Sequence, residues 1–329
     1  MNRLAIKLPR RQDPQPAWVG RLATLVSVLL TSTLAPTALA SEDEAEPPFA
    51  AWAEVPAEGQ FVVGAVYEQS KFYTIYAAGQ QYNIKIRAGG ENYGIDTRQG
   101  YLALQYGITP RWAADLEIGG TTVGWRSFAP GNQIESTTGL MDTSLGARYQ
   151  ILNEAWGTNG PWVPTLTFRT GAILPGTYSQ EIAFAPGFRS AAIEPELLAR
   201  KHFGWPGLGA YGDVLYRWNM TTENDNYIVA VGLFQQIKGW EVDAGFRHLQ
   251  TTSGSNIYFA TNGALDSIVY PRDVREISDS VQAGFSYTTS KRHWKYGFHS
   301  LIVVDGNNTD LKPWFGASID IPIGGKQAD

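Results

Sequence analysis

Ionisable residues recur at every second position in this chain, and that spacing limits the chemistry open to them. Asp115 and Glu117, Glu194 and Glu196, and Glu241 and Asp243 are pairs two residues apart. Arg148, Arg169, Arg200, Asp213, Arg217 and Arg247 sit in similar stretches. Residues two apart share one face of an extended strand. Such a face, with acids and arginines mixed on neighbouring strands, can form cross-strand ion pairs or line a polar path.

Other constellations are poorer. Cysteine is absent, so thiol nucleophiles, zinc–thiolate sites, iron–sulfur clusters and disulfides are excluded. The four histidines are His202, His248, His293 and His299. His248 lies near a strand end on the apolar face. No serine follows two residues on, and no Asp or Asn partner is evident, so an interfacial ring is expected there and catalysis is not. His299 is next to Ser300, but adjacent strand residues point to opposite faces. Gly207-Leu-Gly-Ala-Tyr-Gly212 fits a dinucleotide-binding spacing, yet it opens a strand, and a pyrophosphate needs a helix N-terminus. Asp305-Gly-Asn-Asn-Thr-Asp310 resembles a calcium loop but lacks the ligand spacing and the terminal Glu. It reads as a polar surface loop. No metal or cofactor is expected, and the chain is not expected to be an enzyme.

The elements that position the charges are strands. No segment after residue 50 sustains a 3.6-residue apolar period, whereas strict alternation recurs over 8 to 14 residues. In Leu208 to Met220, Leu208, Ala210, Gly212, Val214, Tyr216, Trp218 and Met220 share one face; Tyr211, Asp213, Leu215, Arg217 and Asn219 share the other. Period-2 matching gives about twelve strands: 60–76, 92–106, 112–126, 139–152, 162–175, 187–202, 207–221, 226–238, 239–250, 274–290, 293–305 and 311–323. Several exceed ordinary soluble strands and suffice to cross a bilayer at a tilt. Short links near 107–111, 203–206, 238–239 and 290–292 alternate with longer ones near 77–91, 127–138, 176–186 and 251–273. Loop 251–273 carries Tyr258, Phe259 and Tyr270, and could serve as a constriction or as plain surface.

This pattern predicts an all-β fold, a transmembrane antiparallel up-and-down β-barrel over 60–323 with a tail at 324–329. Composition agrees. Charged residues are 17 % and glycines 35 of 329, against about 25 % and about 7 % in ordinary soluble domains. Trp112, Trp125, Trp162, Trp205, Trp218, Trp240 and Trp294 fall near strand ends and are expected to form two interfacial girdles. A soluble sandwich would need protected edges and more charged outer faces. In a barrel, the twelve alternating charges face inward, because each would cost up to a few kcal/mol against lipid. They are either the lining of a wet pore or a salt-bridge network that plugs the lumen.

The N-terminus reads as an export signal over 1–40. Arg3, Lys7, Arg10, Arg11 and Arg21 precede the apolar run Leu22 to Leu30, and Ala38-Leu-Ala40 fits a cleavage site. Residues 41–59, beginning Ser41-Glu-Asp-Glu-Ala-Glu-Pro-Pro48, read as a flexible acidic leader. The net charge of −5 becomes more negative without the basic signal, which argues against nucleic acid. The expected location is the outer membrane of a Gram-negative bacterium. The expected partners are its lipids and lipopolysaccharide, the barrel-assembly machinery and a small solute.

Three stretches carry a resemblance. Tyr106-Gly-Ile-Thr-Pro-Arg-Trp112, Asp142-Thr-Ser-Leu-Gly-Ala-Arg-Tyr149 and Ala172-Ile-Leu-Pro-Gly176 are similar, in order and spacing, to motifs of the outer-membrane family named for the meta-pathway of phenol degradation. The resemblance implies a channel or transporter, loosely allied to the long-chain fatty-acid transporter type. The resemblance identifies no substrate; the leading reading is passive uptake of a small solute, with hydrophobic and aromatic compounds as candidates. The alternatives are a structural or adhesive barrel with a plugged lumen and, more remotely, a lipid-modifying enzyme. No leader long enough for a hatch of the fatty-acid-transporter kind is expected.

Overall fold

The computed structural model describes residues 53–83, 86–88, 91–126, 134–156, 162–178, 190–204, 207–221, 224–259, 268–269 and 274–325. The signal expected over 1–40, most of the leader, Trp205 and the last four residues lie outside them. Among the described residues every regular element is a strand: β1 (Gln60–Phe72), β2 (Thr74–Ala77), β3 (Gln80–Asn83), β4 (Ile86–Ala88), β5 (Glu91–Tyr93), β6 (Ile95–Gly107), β7 (Trp112–Arg126), β8 (Ile134–Leu140), β9 (Thr143–Leu152), β10 (Thr165–Leu174), β11 (Ala192–His202), β12 (Leu208–Asn219), β13 (Asn226–Ile237), β14 (Trp240–Thr251), β15 (Tyr258–Phe259), β16 (Ile268–Val269), β17 (Ile277–Thr288), β18 (Lys295–Asn307) and β19 (Pro313–Gly324).

One antiparallel sheet runs β6-β1-β19-β18-β17-β14-β13-β12-β11-β10-β9-β7, and β6 also pairs with β7, so the sheet closes on itself. First and last strands meet along their lengths, from Gln60 opposite Gly324 to Ser70 opposite Trp314. Closure removes the free edges that a membrane does not tolerate. The chain has the fold of a twelve-strand outer-membrane barrel.

The alternation seen in the sequence becomes radial. Phe61, Leu102, Trp112, Leu145, Phe168, Val214, Val231, Val242, Phe285 and Phe298 are exposed on the outside. Arg148, Arg169, Glu194, Arg200, Glu241 and Asp243 are buried on the inside. The barrel is therefore apolar outward and polar inward, the inverse of a soluble domain.

The turns follow local chemistry. Lys238–Gly239, both at positive φ, form a two-residue hairpin turn whose twist matches the flanking strands. Gly207, at φ +70, opens β12 against the Gln236 backbone; the glycine-rich stretch there belongs to a turn and a strand. Small hairpins β2–β3, β4–β5 and β15–β16 occupy parts of the expected loops 77–91 and 251–273 and the ends of the expected strands 60–76 and 92–106.

The expected strand 139–152 is β9 over Thr143–Leu152, and its first residues end β8, Ile134–Leu140, which fills part of the expected loop 127–138. Both pair with β7, Leu140 opposite Gly120 and Ser144 opposite Glu117, so the register slips by one residue at Met141–Asp142. This bulge is tied down. Asp142 accepts hydrogen bonds from the Gly176 N–H (2.8 Å) and the Tyr178 hydroxyl (3.0 Å).

Candidate functional site

Glycines make the lumen what it is. On an inward position a glycine leaves a trough along the wall into which a neighbouring strand's long side chain can lie. Gly146 of β9 stands between Asp115 of β7 and Gly171 of β10 in register. A Cβ on Gly146 would come within 2.7 Å of the Asp115 carboxylate and 2.9 Å of the Arg169 guanidinium. One on Gly171 would come within 2.9 Å of Arg169 Nη1.

Arg169 occupies this trough and is the centre of a charge cluster. Its Nη2 donates to Asp115 Oδ1 (2.7 Å) and to Ser144 Oγ (2.7 Å), and its Nε to Asp115 Oδ1 (3.0 Å). Its Nη1 faces Glu196 at 3.6 Å and Glu194 at 3.9 Å. Arg148 Nε also donates to Asp115, at 3.0 Å. Arg217 closes the chain on Glu194. Arginine suits this role because its planar fork reaches several carboxylates at once.

The rest of the wall uses glycine differently. Tyr211 of β12 lies across Gly232 and Gly245, and its hydroxyl accepts a hydrogen bond from Gln282 (2.6 Å). His299 of β18 lies across Gly316 of β19, and its Nε2 reaches Glu68 of β1 at 2.7 Å. Gln99 donates to the same Glu68. Glu241 takes Gln236 (2.6 Å) and Arg200 (3.4 Å) on Oε2, while its Oε1 has no hydrogen-bond partner. Asp243 turns over Gly284 with both carboxylate oxygens unpartnered, and Asp213 Oδ1 is unpartnered too.

The structure places all twelve charges named from the sequence on inward positions of their strands. Asp115, Arg148, Arg169, Glu194, Glu196 and Arg217 come together in one cluster, and Arg200 and Glu241 in a second. Asp213 and Arg247 interact at longer range. Glu117 and Asp243 join neither cluster. Sequence reasoning passed over Glu68, Tyr211, Gln282, Lys295, His299 and Asp320. Asp320 carried a signal, since Ser318 and Asp320 alternate with Ile319 and Ile321. Glu68 did not, because its face of β1 otherwise reads Val62, Gly64 and Val66.

Other expectations fare variously. Trp112, Trp218 and Trp240 are exposed on the outer surface, Trp162 is exposed in the turn before β10, and Trp294 is half-buried beside Arg292. Trp112 and Trp240 lean on Tyr149 and Tyr287, with ring centroids 4.8 Å apart in each case. The Trp125 side chain lies outside the described residues. The Asp305–Asp310 stretch is a loop fastener: Asn308 Oδ1 accepts from the Ala78 and Ile257 N–H groups, and its Nδ2 donates to the Arg275 carbonyl. Among the described residues no group of three His, Cys, Asp or Glu could hold a metal. Loop 251–273 contributes β15 and β16; residues 260–267 and 270–273 lie outside the described residues.

Two expectations need correction. His248 does have an acidic partner: its Nδ1 is 2.7 Å from Asp279, directly opposite on β17. The pair faces outward with Tyr227 beside it. Among the described residues no hydrogen bond joins a serine or threonine hydroxyl to the His248 ring. The end of the leader, expected to be flexible, is docked. Ala53 is 2 % exposed, and its carbonyl accepts hydrogen bonds from Gln150 and Thr167 on the inner wall. Gly59 donates to the Gly107 carbonyl (2.8 Å). Residues 53–59 therefore run along the lumen at its short-turn mouth. The physical reason is backbone satisfaction: two buried inward donors found their acceptor in this segment.

Solved structures share this architecture. The chain is similar to an outer-membrane channel from Pseudomonas putida F1, with 13 % identity over 85 % of this chain and 100 % of that one and a TM-score of 0.62. This likeness concerns the fold. The KdgM porin (10 % identity, 79 % and 99 % covered, TM-score 0.41) and the CymD monoaromatic hydrocarbon channel (9 %, 83 % and 90 %, 0.38) are more distant and carry no argument for this chain. No family model matches the chain, and no curated protein matches it in sequence.

Proposed function

We propose that the chain forms a narrow, water-filled channel in a Gram-negative outer membrane, for passive entry of small solutes. One observation carries the reading. The inward charges Glu196 and Arg217 keep contact with solvent, their side chains 14 % and 22 % exposed. Solvent inside the barrel lowers the cost of charges that a dry wall would bury. The apolar exterior belongs to a hydrocarbon environment. Among the described residues no helix is long and apolar enough to cross a membrane, so the strands would do so. The polar inner face suits small hydrophilic solutes and ions. The resemblance to the meta-pathway family extends the candidates to hydrophobic and aromatic compounds.

A second reading, a barrel with a plugged lumen, is favoured by the docked leader. Arg148, Gln150, Thr165 and Thr167 are almost wholly shielded where it lies. Conductance of the purified protein in a planar bilayer under a salt gradient separates the two. Discrete small steps with a defined reversal potential are expected. A stably inserted, silent barrel would favour the plug.

A further inference from the structure

The short turn between β13 and β14 departs from a local preference. Lys238 and Gly239 lie at φ +50 and +82, a left-handed pair in which asparagine or aspartate ordinarily precedes the glycine. A lysine adds nothing to such a turn but its charge. The neighbouring turn, between β17 and β18, carries Lys291 and Arg292. The Thr288 N–H donates to the Gly239 carbonyl at 2.8 Å and joins the two turns. The second turn is closed on Thr289, whose carbonyl accepts from the His293 N–H (2.9 Å) and whose Oγ1 accepts from the Trp294 N–H (3.1 Å). Lys238, Lys291 and Arg292 are all exposed, and Arg292 lies 5.2 Å from the centroid of the Trp294 ring. Among the described residues no ion pair engages the three, whereas Lys201, near the next short turn, is committed to Glu154 at 2.9 Å. Beside these turns one outward row reads Ile237, Trp240, Tyr287 and Tyr296 in register. Val242 and Phe285 follow it, both exposed. At the long-loop ends of β17 and β18, the charges are instead Asp279 and Asp305, opposite each other.

We infer that Lys238, Lys291 and Arg292 form a binding surface for an anionic phospholipid of the inner leaflet, with its headgroup at the two turns and its chains along Trp240, Val242 and Phe285. The short turns of such barrels face the periplasm. Aromatic rows sit at headgroup level, and cations just beyond them meet the phosphate plane. Arg292 brings a planar fork that fits two phosphate oxygens, and the lysines bring compact charges. The acids at the long-loop ends would repel such a headgroup, so the preference belongs to the short-turn side. The surface rests on the membrane placement proposed above and not on an open lumen.

The probes are phosphatidylglycerol and phosphatidylcholine with the same chains, added at equal concentration to the purified barrel in detergent micelles. Native mass spectrometry counts the lipids that stay bound. Wild type should retain phosphatidylglycerol several-fold better. Lys238→Asn should lower that preference about two- to fivefold, and it supplies the residue that the turn favours before Gly239, so the barrel should fold. Adding Lys291→Gln and Arg292→Gln should abolish the preference. Arg98→Gln is the control, since Arg98 is exposed near the long-loop end of β6 and paired with Asp96 at 3.1 Å; it should leave the preference intact. Equal retention of the two lipids by wild type overturns the surface. So does a preference that survives the triple substitution, or one that Arg98→Gln lowers as much as Lys238→Asn does. A barrel that prefers phosphatidylglycerol yet is silent in planar bilayers keeps the surface and loses the channel; a conducting barrel that retains both lipids equally does the reverse.

Discussion

The inner wall has two sectors that obey one rule and reach opposite ends. From β7 to β12, the glycines Gly146 and Gly171 hold Arg169, and that arginine meets more than one carboxylate. Arg169 alone touches Asp115 and faces Glu194 and Glu196. From β13 round to β1, the troughs hold Tyr211, Asp243 and His299, and the bases nearest Asp243 are Lys295 and His299. These are single-point donors, without a fork to span two strands. The first sector is a clamp centred on Asp115, whose two oxygens are both engaged. The second leaves Asp243 with both oxygens free. Alternation decides which residues face the lumen; the side chain that fills a glycine trough decides which carboxylates are engaged.

The strongest way to break the comparison is to remove the clamp's centre. Arg169→Met leaves Asp115 with Arg148 alone and strips Glu196 of its ion pair. Removing one partner from a buried charge network costs about 3–5 kcal/mol, read from denaturant unfolding of the barrel in lipid vesicles. Asp243→Asn removes no ion pair and one buried charge, so its cost should stay below about 1 kcal/mol and could be negative. Equal losses in the two variants would abolish the distinction between sectors.

A smaller effect tests the troughs themselves. Gly316→Ala places a methyl group where the His299 ring lies. The ring must leave the wall, and its bond to Glu68 goes with it. About 1–3 kcal/mol should be lost. Gly100 is the control, since a Cβ there meets only the Val66 carbonyl at 3.6 Å, an ordinary contact. Gly100→Ala should be neutral or slightly stabilising, because it trims the freedom of the unfolded chain. If both substitutions behave alike, the trough is incidental.

What was legible in the sequence divides along the same lines. On β7, Trp112, Ala114, Leu116 and Ile118 against Asp115 and Glu117 state both the strand and its inner face. Period-2 patterning is local, so it survives without a structure. Pairing is not local. Asp115 meets Arg169 from 54 residues away, through a register that slips at Met141–Asp142. Glu68 meets His299 across 231 residues, and only because the barrel closes. His248 and Asp279 face each other because β14 and β17 pair across an intervening hairpin. The docked leader was illegible for a related reason. Ala53 offers only a carbonyl, which every residue has, and nothing in its side chain marks the inner wall as its place.

The smallest effect concerns the short-turn rim, outside both sectors. Glu154, in the turn after β9, accepts hydrogen bonds from Lys201 Nζ (2.9 Å) and the His202 N–H (3.0 Å), and also pairs with the His202 ring. Burial alone would raise its carboxyl, but the bonds from the His202 side chain, Lys201 and the His202 N–H outweigh it and hold the group at about 2, from an ordinary 4.5. A group depressed in the folded state contributes fully above its unfolded value. Its contribution fades as pH falls from about 4.5 to about 2. Glu154→Gln should therefore be less stable than wild type by a constant margin from pH 7 down to about pH 5, and the margin should close near pH 2. The margin stays below about 1 kcal/mol, because the pair lies at the wet rim. Urea midpoints of the two proteins at pH 7, 4.5 and 2.5 measure it. A margin that persists unchanged at pH 2.5 would show that the Glu154 side chain acts by packing, and that the rim, unlike the arginine clamp, owes nothing to its charge.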